Sequence, residues 1–199
     1  MHEVTLHGVL VVDGSGSAAT VADVALSGGR VVEIAPSLAR GHRSIDVDGL
    51  VVAPGFVDIH THLDAQVLWD QRVSISSWHG VTTAIMGNCG FSLAPTRPGD
   101  RERVIETLEN VEGMDAEVLR SGIGPDWGFE SFDEYLGRLD AAPLAINVGA
   151  LVGHTAVRMY VMGEDATERE ATDDEIAAMA KVVGDALSGG ALGFSTSKV

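Results

Sequence analysis

Four short runs constrain this chain more than any other feature. Phe56-Val57-Asp58-Ile59-His60, Val81 to Met86, Leu144 to Val152 and Ala191 to Ser195 are largely apolar without a polar alternation. A strand with one wet face alternates polar and apolar residues. Runs that do not are covered on both faces, as parallel strands sandwiched by helices are. Helical segments fall between them. The clearest is capped by Thr172 with Glu175 three residues on, a capping box. Ile176, Met179, Ala180, Val183 and Leu187 then share one helix face, and Gly189-Gly190 stops it. Asp100 to Glu112 and Ser131 to Leu139 read as further helices, in a long insertion between the second and third runs. Strand, helix and strand in alternation imply right-handed crossovers and an α/β fold.

The first fifty residues have a different character. Glu3 to Asp13, Val21 to Leu26, Arg30 to Ile34 and Ser44 to Val47 are β-branched runs closed by Gly14-Ser15-Gly16-Ser17, Ser27-Gly28-Gly29, Pro36 and Asp48-Gly49. They predict a small all-β unit over 1–52, ahead of β/α units over 53–199. Four β/α units do not close a barrel, since an eight-stranded one needs about 250 residues. An open half barrel leaves bare sheet edges. The expectation is the N-terminal part of something larger, completed by a continuing segment or a second polypeptide.

Charge removes several classes of function. Thirteen Lys and Arg against 29 Asp and Glu give a formal net charge of −16, the wrong sign for a phosphate-binding or anionic-lipid-binding surface. No apolar run reaches the roughly 18 residues of a membrane span, and Met1-His2-Glu3 lacks the basic start of a signal peptide. A single cysteine excludes an internal disulfide and fits a reducing compartment. The expectation is a soluble, cytoplasmic protein with neither nucleic-acid nor membrane partners.

The residues able to do chemistry gather at strand ends. His60-Thr61-His62 closes the first apolar run, and residues two apart on a strand face the same way. Two neutral imidazoles so placed bind a divalent metal, zinc by preference, and Asp58 lies one step deeper as a supporting acceptor. Cys89, in Gly87-Asn88-Cys89-Gly90 after the second run, reads first as a metal ligand, then as a buried thiol, and last as a nucleophile needing a base such as His79. His154 follows the third run, either as a substrate-binding group or as a solvated loop residue. Lys198 follows the fourth as a solvated lysine, a carboxylate binder or, if carboxylated, a metal bridge. Asp64, Gln66, Trp69 and Asp70 either shape the pocket or pack the loop. Glu102, Glu106 and Glu109 read as one solvated helix face.

Ala53-Pro54-Gly55-Phe56-Val57-Asp58-Ile59-His60-Thr61-His62 resembles the first-strand signature of the amidohydrolase superfamily. His79-Gly80-Val81-Thr82-Thr83, then Gly87-Asn88-Cys89-Gly90-Phe91-Ser92-Leu93-Ala94-Pro95, narrow the likeness. So do Asn147 to His154 and Gly190 to Thr196, and together they are similar to the N-acyl-D-amino-acid deacylase (D-aminoacylase) family. The resemblance implies a small β-sandwich portion followed by the first half of a (β/α)8 TIM-type barrel. It implies one or two Zn2+ ions, with His60, His62 and Cys89 as ligands. It also implies hydrolysis of the amide bond of a small N-acyl substrate by metal-activated water. Two more histidines and a catalytic aspartate would come from strands beyond Val199. Leu63 and Ser197-Lys198 depart from the family pattern and bear on the substrate. The alternatives are cyclic-amide or dipeptide hydrolysis, or a non-catalytic scaffold subunit.

Overall fold

A computed structural model of the chain describes residues 1–197 and resolves into two compact units, Met1–Gly55 and Phe56–Val199. Lys198 lies outside the described residues.

The first unit is one mixed sheet. Strands β1 (Val4–Val11), β2 (Thr20–Ser27) and β3 (Arg30–Ala35) form an antiparallel meander, and β4 (Arg43–Asp46) and β5 (Val51–Val52) both pair parallel to β1. A tight Gly28-Gly29 turn joins β2 to β3, a longer loop joins β1 to β2, and β4 and β5 return along the free edge of β1. Val9, Val11, Ala22 and Val24 form its small apolar core. The β1–β2 register shifts between Leu6 and Val9, with Gly8 at φ 73°. There the Asp23 carboxylate accepts the N–H groups of Gly8 (3.0 Å) and Leu38 (2.9 Å) and lies 2.8 Å from His7 Nδ1. His7 Nε2 lies 3.0 Å from Thr5 Oγ1, which lies 3.0 Å from Ser44 Oγ. Those main-chain hydrogen bonds, with the His7 contact, hold the Asp23 carboxyl down at about 2.

The second unit is a four-stranded parallel sheet in chain order: β6 (Phe56–Asp58), β7 (Val81–Met86), β8 (Asn147–Gly153) and β9 (Gly193–Ser195). Sequential parallel neighbours joined by helical crossovers are the arrangement of a half barrel, matching the expected fold class. β6 stops at Asp58, two residues short of the predicted run, because the Asp58 carboxylate accepts the His60 N–H at 3.2 Å.

Helix α1 (Ser74–Trp78) joins β6 to β7. Helices α2 (Arg101–Glu112), α3 (Ala116–Ile123) and α4 (Phe132–Asp140) fill the insertion before β8, and α5 (His154–Met162) and α6 (Asp173–Gly189) follow it. Capping boxes start α4 at Ser131/Glu134 and α6 at Thr172/Glu175. The insertion supplies much of the core. Trp127, Phe129, Phe132 and Tyr135 pack in tilted and edge-on pairs beneath the sheet with Met86, Leu93 and Leu119.

The apolar face expected of α6 is buried only in part. Ala186 is its buried residue and Met179, Val182 and Val183 pack beside it, while Ile176 and Leu187 are exposed. Packing against α4 and α5 rotates the contact line away from those two. Among the described residues, no helix is long and apolar enough to cross a membrane.

Candidate metal centre

His60 and His62 lie on the segment that leaves β6, beside the continuing edge of β7. The Thr61 N–H and hydroxyl both donate to Ile85 O, at 3.0 and 2.9 Å, so the segment stays locked beyond the strand's end. The two imidazole centroids lie 5.5 Å apart, their planes tilted by 58°. Cys89 arrives from the turn after β7, and its Sγ lies 3.2 Å from His60 Nε2. One ligand atom from each of His60, His62 and Cys89 lies within 4.8 Å of the others. Ligands around one tetrahedral zinc, bound at roughly 2.0–2.3 Å, stand about 3.6 Å apart. Two imidazole nitrogens and a thiol at these separations therefore fit a shared ion of that class.

The Cys89 turn is built under strain and held from several sides. Cys89 has φ 57°, left-handed backbone that non-glycine residues seldom adopt. Gly87, at φ 78°, passes so close to β8 that an added Cβ would stand 2.0 Å from Leu151 O. Two side chains stitch the two loops together. The Asp64 carboxylate accepts the Gly87 N–H at 3.0 Å, and the Asn88 amide donates to Thr61 O (3.2 Å) and Ile85 O (3.0 Å). From β9, the Ser195 hydroxyl accepts the Gly90 N–H at 3.1 Å and donates to Gly87 O; just beyond, Ser197 donates to Cys89 O.

Two acids border the two loops: Asp64, read from the sequence as shaping the pocket or packing the loop, and Glu112, which sequence reasoning did not single out. Asp64 is buried, and burial pushes its carboxyl up to about 7; the nearby charge of Glu112 adds to the rise, and the Gly87 N–H opposes it. Its Oδ1 has no hydrogen-bond partner among the described residues, and its carbonyl accepts the Tyr135 hydroxyl at 2.9 Å. Glu112 closes α2, with its Oε1 3.2 Å from His62 Nδ1. Glu112 continues the spacing of Glu106 and Glu109 to the end of the helix, and nothing in that spacing set it apart from a solvated row. Glu102, by contrast, pairs with Arg120 at the surface.

The other candidates fall elsewhere. Asp58 spends its carboxylate on the His60 main chain, and His79 Nδ1 donates to Ile75 O at 2.8 Å at the end of α1, so the ring beside Cys89 is that of His60. His154 is the first residue of α5, not a loop residue. Its Nδ1 lies 3.1 Å from Thr196 Oγ1, its ring packs on Phe194, and it lines a cleft of about 1010 Å³ between α5, α6 and β9. Asp70 accepts from Gln66 (3.0 Å) and from the Ser74 N–H (2.8 Å), which starts α1, and Trp69 packs over Gly122. These are loop-packing roles.

Residues 43–199 match the profile described as the Amidohydrolase family. A D-aminoacylase from Alcaligenes xylosoxydans xylosoxydans is 38% identical over 195 residues, which are 98% of this chain and 37% of that protein. A solved D-aminoacylase, described through its binuclear metal centre with one-metal activation and second-metal attenuation, superposes with a TM-score of 0.80. It is 38% identical over 98% of this chain and 38% of its own. An N-acyl-D-glutamate deacylase from Bordetella bronchiseptica, complexed with zinc and a phosphonate mimic of the tetrahedral intermediate, gives 0.80 at 31% identity over the same shares. The chain thus spans less than two fifths of the length of each of these relatives. With its parallel half barrel and strand-end histidines, the chain belongs to the amidohydrolase family.

Proposed function

We propose that this chain carries the metal-binding face of a hydrolase that cleaves the amide bond of N-acyl-D-amino acids or related small N-acyl compounds. The observation that carries the reading is the convergence of His60, His62 and Cys89 within 4.8 Å at the ends of adjacent parallel strands, where barrel enzymes keep their chemistry. In this reading residues 1–52 are the first strands of a small β-sandwich and 53–199 the first four β/α units of the barrel. The remaining units, and the general-base aspartate, come from beyond residue 199.

His60, His62 and Cys89 hold the metal, with zinc favoured by the two-nitrogen, one-sulfur donor set. A zinc ion held by these residues would supply a water of lowered pKa and a Lewis acid for the acyl oxygen. The chain's own residues do the positioning. Thr61 and Asn88 fix the histidine segment to the Cys89 turn, and Ser195 fixes that turn to β9. His154 is assigned the substrate's polar end in this reading, which its position on the rim of the α5–α6 cleft beside Thr196 supports.

The test combines metal analysis with a substrate panel. The full chain should carry zinc as purified, and a preparation including the rest of the barrel should show higher kcat/KM on N-acetyl-D- than on N-acetyl-L-amino acids. Cys89→Ala should lower metal content and activity together. Preference for a cyclic amide or a dipeptide would move the reaction within the family, and metal-free assembly without turnover would replace it with a scaffold role.

A further inference from the structure

We propose that Glu112 is a positioning residue for the metal cluster, its carboxylate standing at the Nδ1 edge of His62 so that Nε2 is left to bind the ion. The inference rests on the metal-binding reading above and adds a residue to it.

Three observations carry it. Glu112 Oε1 lies 3.2 Å from His62 Nδ1, and the side chains are only 15% and 22% exposed. Among the described residues, His62 is the one ion-pair partner that Glu112 has; no Lys or Arg is recorded against it. Its position is otherwise unfavourable. Glu112 is the last residue of α2, where exposed carbonyls make the helix end negative and disfavour a carboxylate. A largely buried anion at the wrong end of a helix is poorly served by the bare fold. Positive charge on the far side of the His62 ring supplies the missing complement. A neutral imidazole carries one N–H and one lone pair, so an acceptor at Nδ1 fixes the tautomer and raises the basicity of Nε2.

The helix end separates this role from a structural one, because the two predict opposite signs for stability. Glu112→Leu and Glu112→Gln are compared with the wild-type full chain for metal-free Tm, for zinc affinity by chelator competition and for the absorption spectrum of the Co2+ form. Removing the acceptor in Glu112→Leu should weaken zinc binding roughly 10–100-fold and change the Co2+ spectrum, with the metal-free Tm unchanged or raised. Glu112→Gln keeps an acceptor oxygen and should recover part of the affinity. Zinc affinity and Co2+ spectra equal to wild type in both variants would overturn the inference and leave the metal reading intact. A metal-free Tm lowered in both variants would reduce Glu112 to a packing role and equally overturn it. Failure of the wild-type chain to bind zinc or Co2+ would remove the reading on which it rests.

Discussion

The Ser195 hydroxyl accepts the main-chain N–H of Gly90 at 3.1 Å across 105 residues of sequence, and donates to Gly87 O on the other side of the same turn. One side chain of β9 thus closes both ends of the four-residue turn that presents Cys89. The strained φ of 57° at Cys89 persists because its neighbours on either side are fixed.

Ser195→Ala leaves a half-buried N–H and a carbonyl without this partner. About 1–3 kcal/mol of stability should be lost, read by urea unfolding. Zinc affinity should fall by roughly 10–100-fold as the turn loosens, read by chelator competition. Lower stability with unchanged affinity would confine the clamp to the fold.

Gly87→Ala should abolish soluble expression or cost more than about 4 kcal/mol. The new Cβ would stand 2.0 Å from Leu151 O, at a φ of 78° that side chains resist. Gly99→Ala is the control, because nothing lies within 4 Å of its added Cβ. It should stay within about ±0.5 kcal/mol. Equal expression of the two variants would contradict this account of the turn.

Tyr135→Phe keeps the edge-on packing against Phe129 and Phe132 and removes only the hydroxyl that donates to Asp64 O at 2.9 Å. A buried carbonyl left unpaired should cost about 1–3 kcal/mol, seen as a lower urea midpoint with an unchanged slope. An unchanged midpoint would mean that water takes over the bond.

In the first unit, acid sensitivity should trace to Asp23. Its carboxyl titrates at about 2 in the folded chain against an ordinary 3.8, so the folded state gives up the proton more readily than the unfolded one. The resulting stability is complete above pH 3.8 and disappears as pH falls toward 2. Tm measured between pH 5 and pH 2 should fall less steeply in Asp23→Asn than in wild type. Parallel curves would place the acid sensitivity elsewhere, with Glu175 on α6 the next candidate since Arg169 holds it low as well.

Periodicity and capping chemistry made the framework legible. Val81–Met86 is β7 with the predicted ends, and the Thr172/Glu175 capping box opens α6. Local signals failed where tertiary contacts decide. Nothing in residues 116–123 marked α3, because its packing partners lie in α2 and near Trp69. His154 looked like a loop residue because it follows a strand directly, although the chain turns into α5 without a connecting loop. At the site, the clustering of His60, His62 and Cys89 was readable from residue type and position after apolar strands. Glu112 was not, since an acidic residue in a row of solvated glutamates gives no sign that its turn of helix faces inward.

The order in which these parts are synthesised adds a consequence. His60, His62 and Cys89 are all made before the Ser195 that pins the turn, and Gly90 and its clamp are 105 residues apart. At about 5–20 residues per second, the two imidazoles and the thiol spend roughly 5–20 s on the nascent chain with the turn unpinned. The strained turn at Cys89 therefore has no clamp until the fourth parallel strand has been made, and its final shape is a late event in the folding of the second unit.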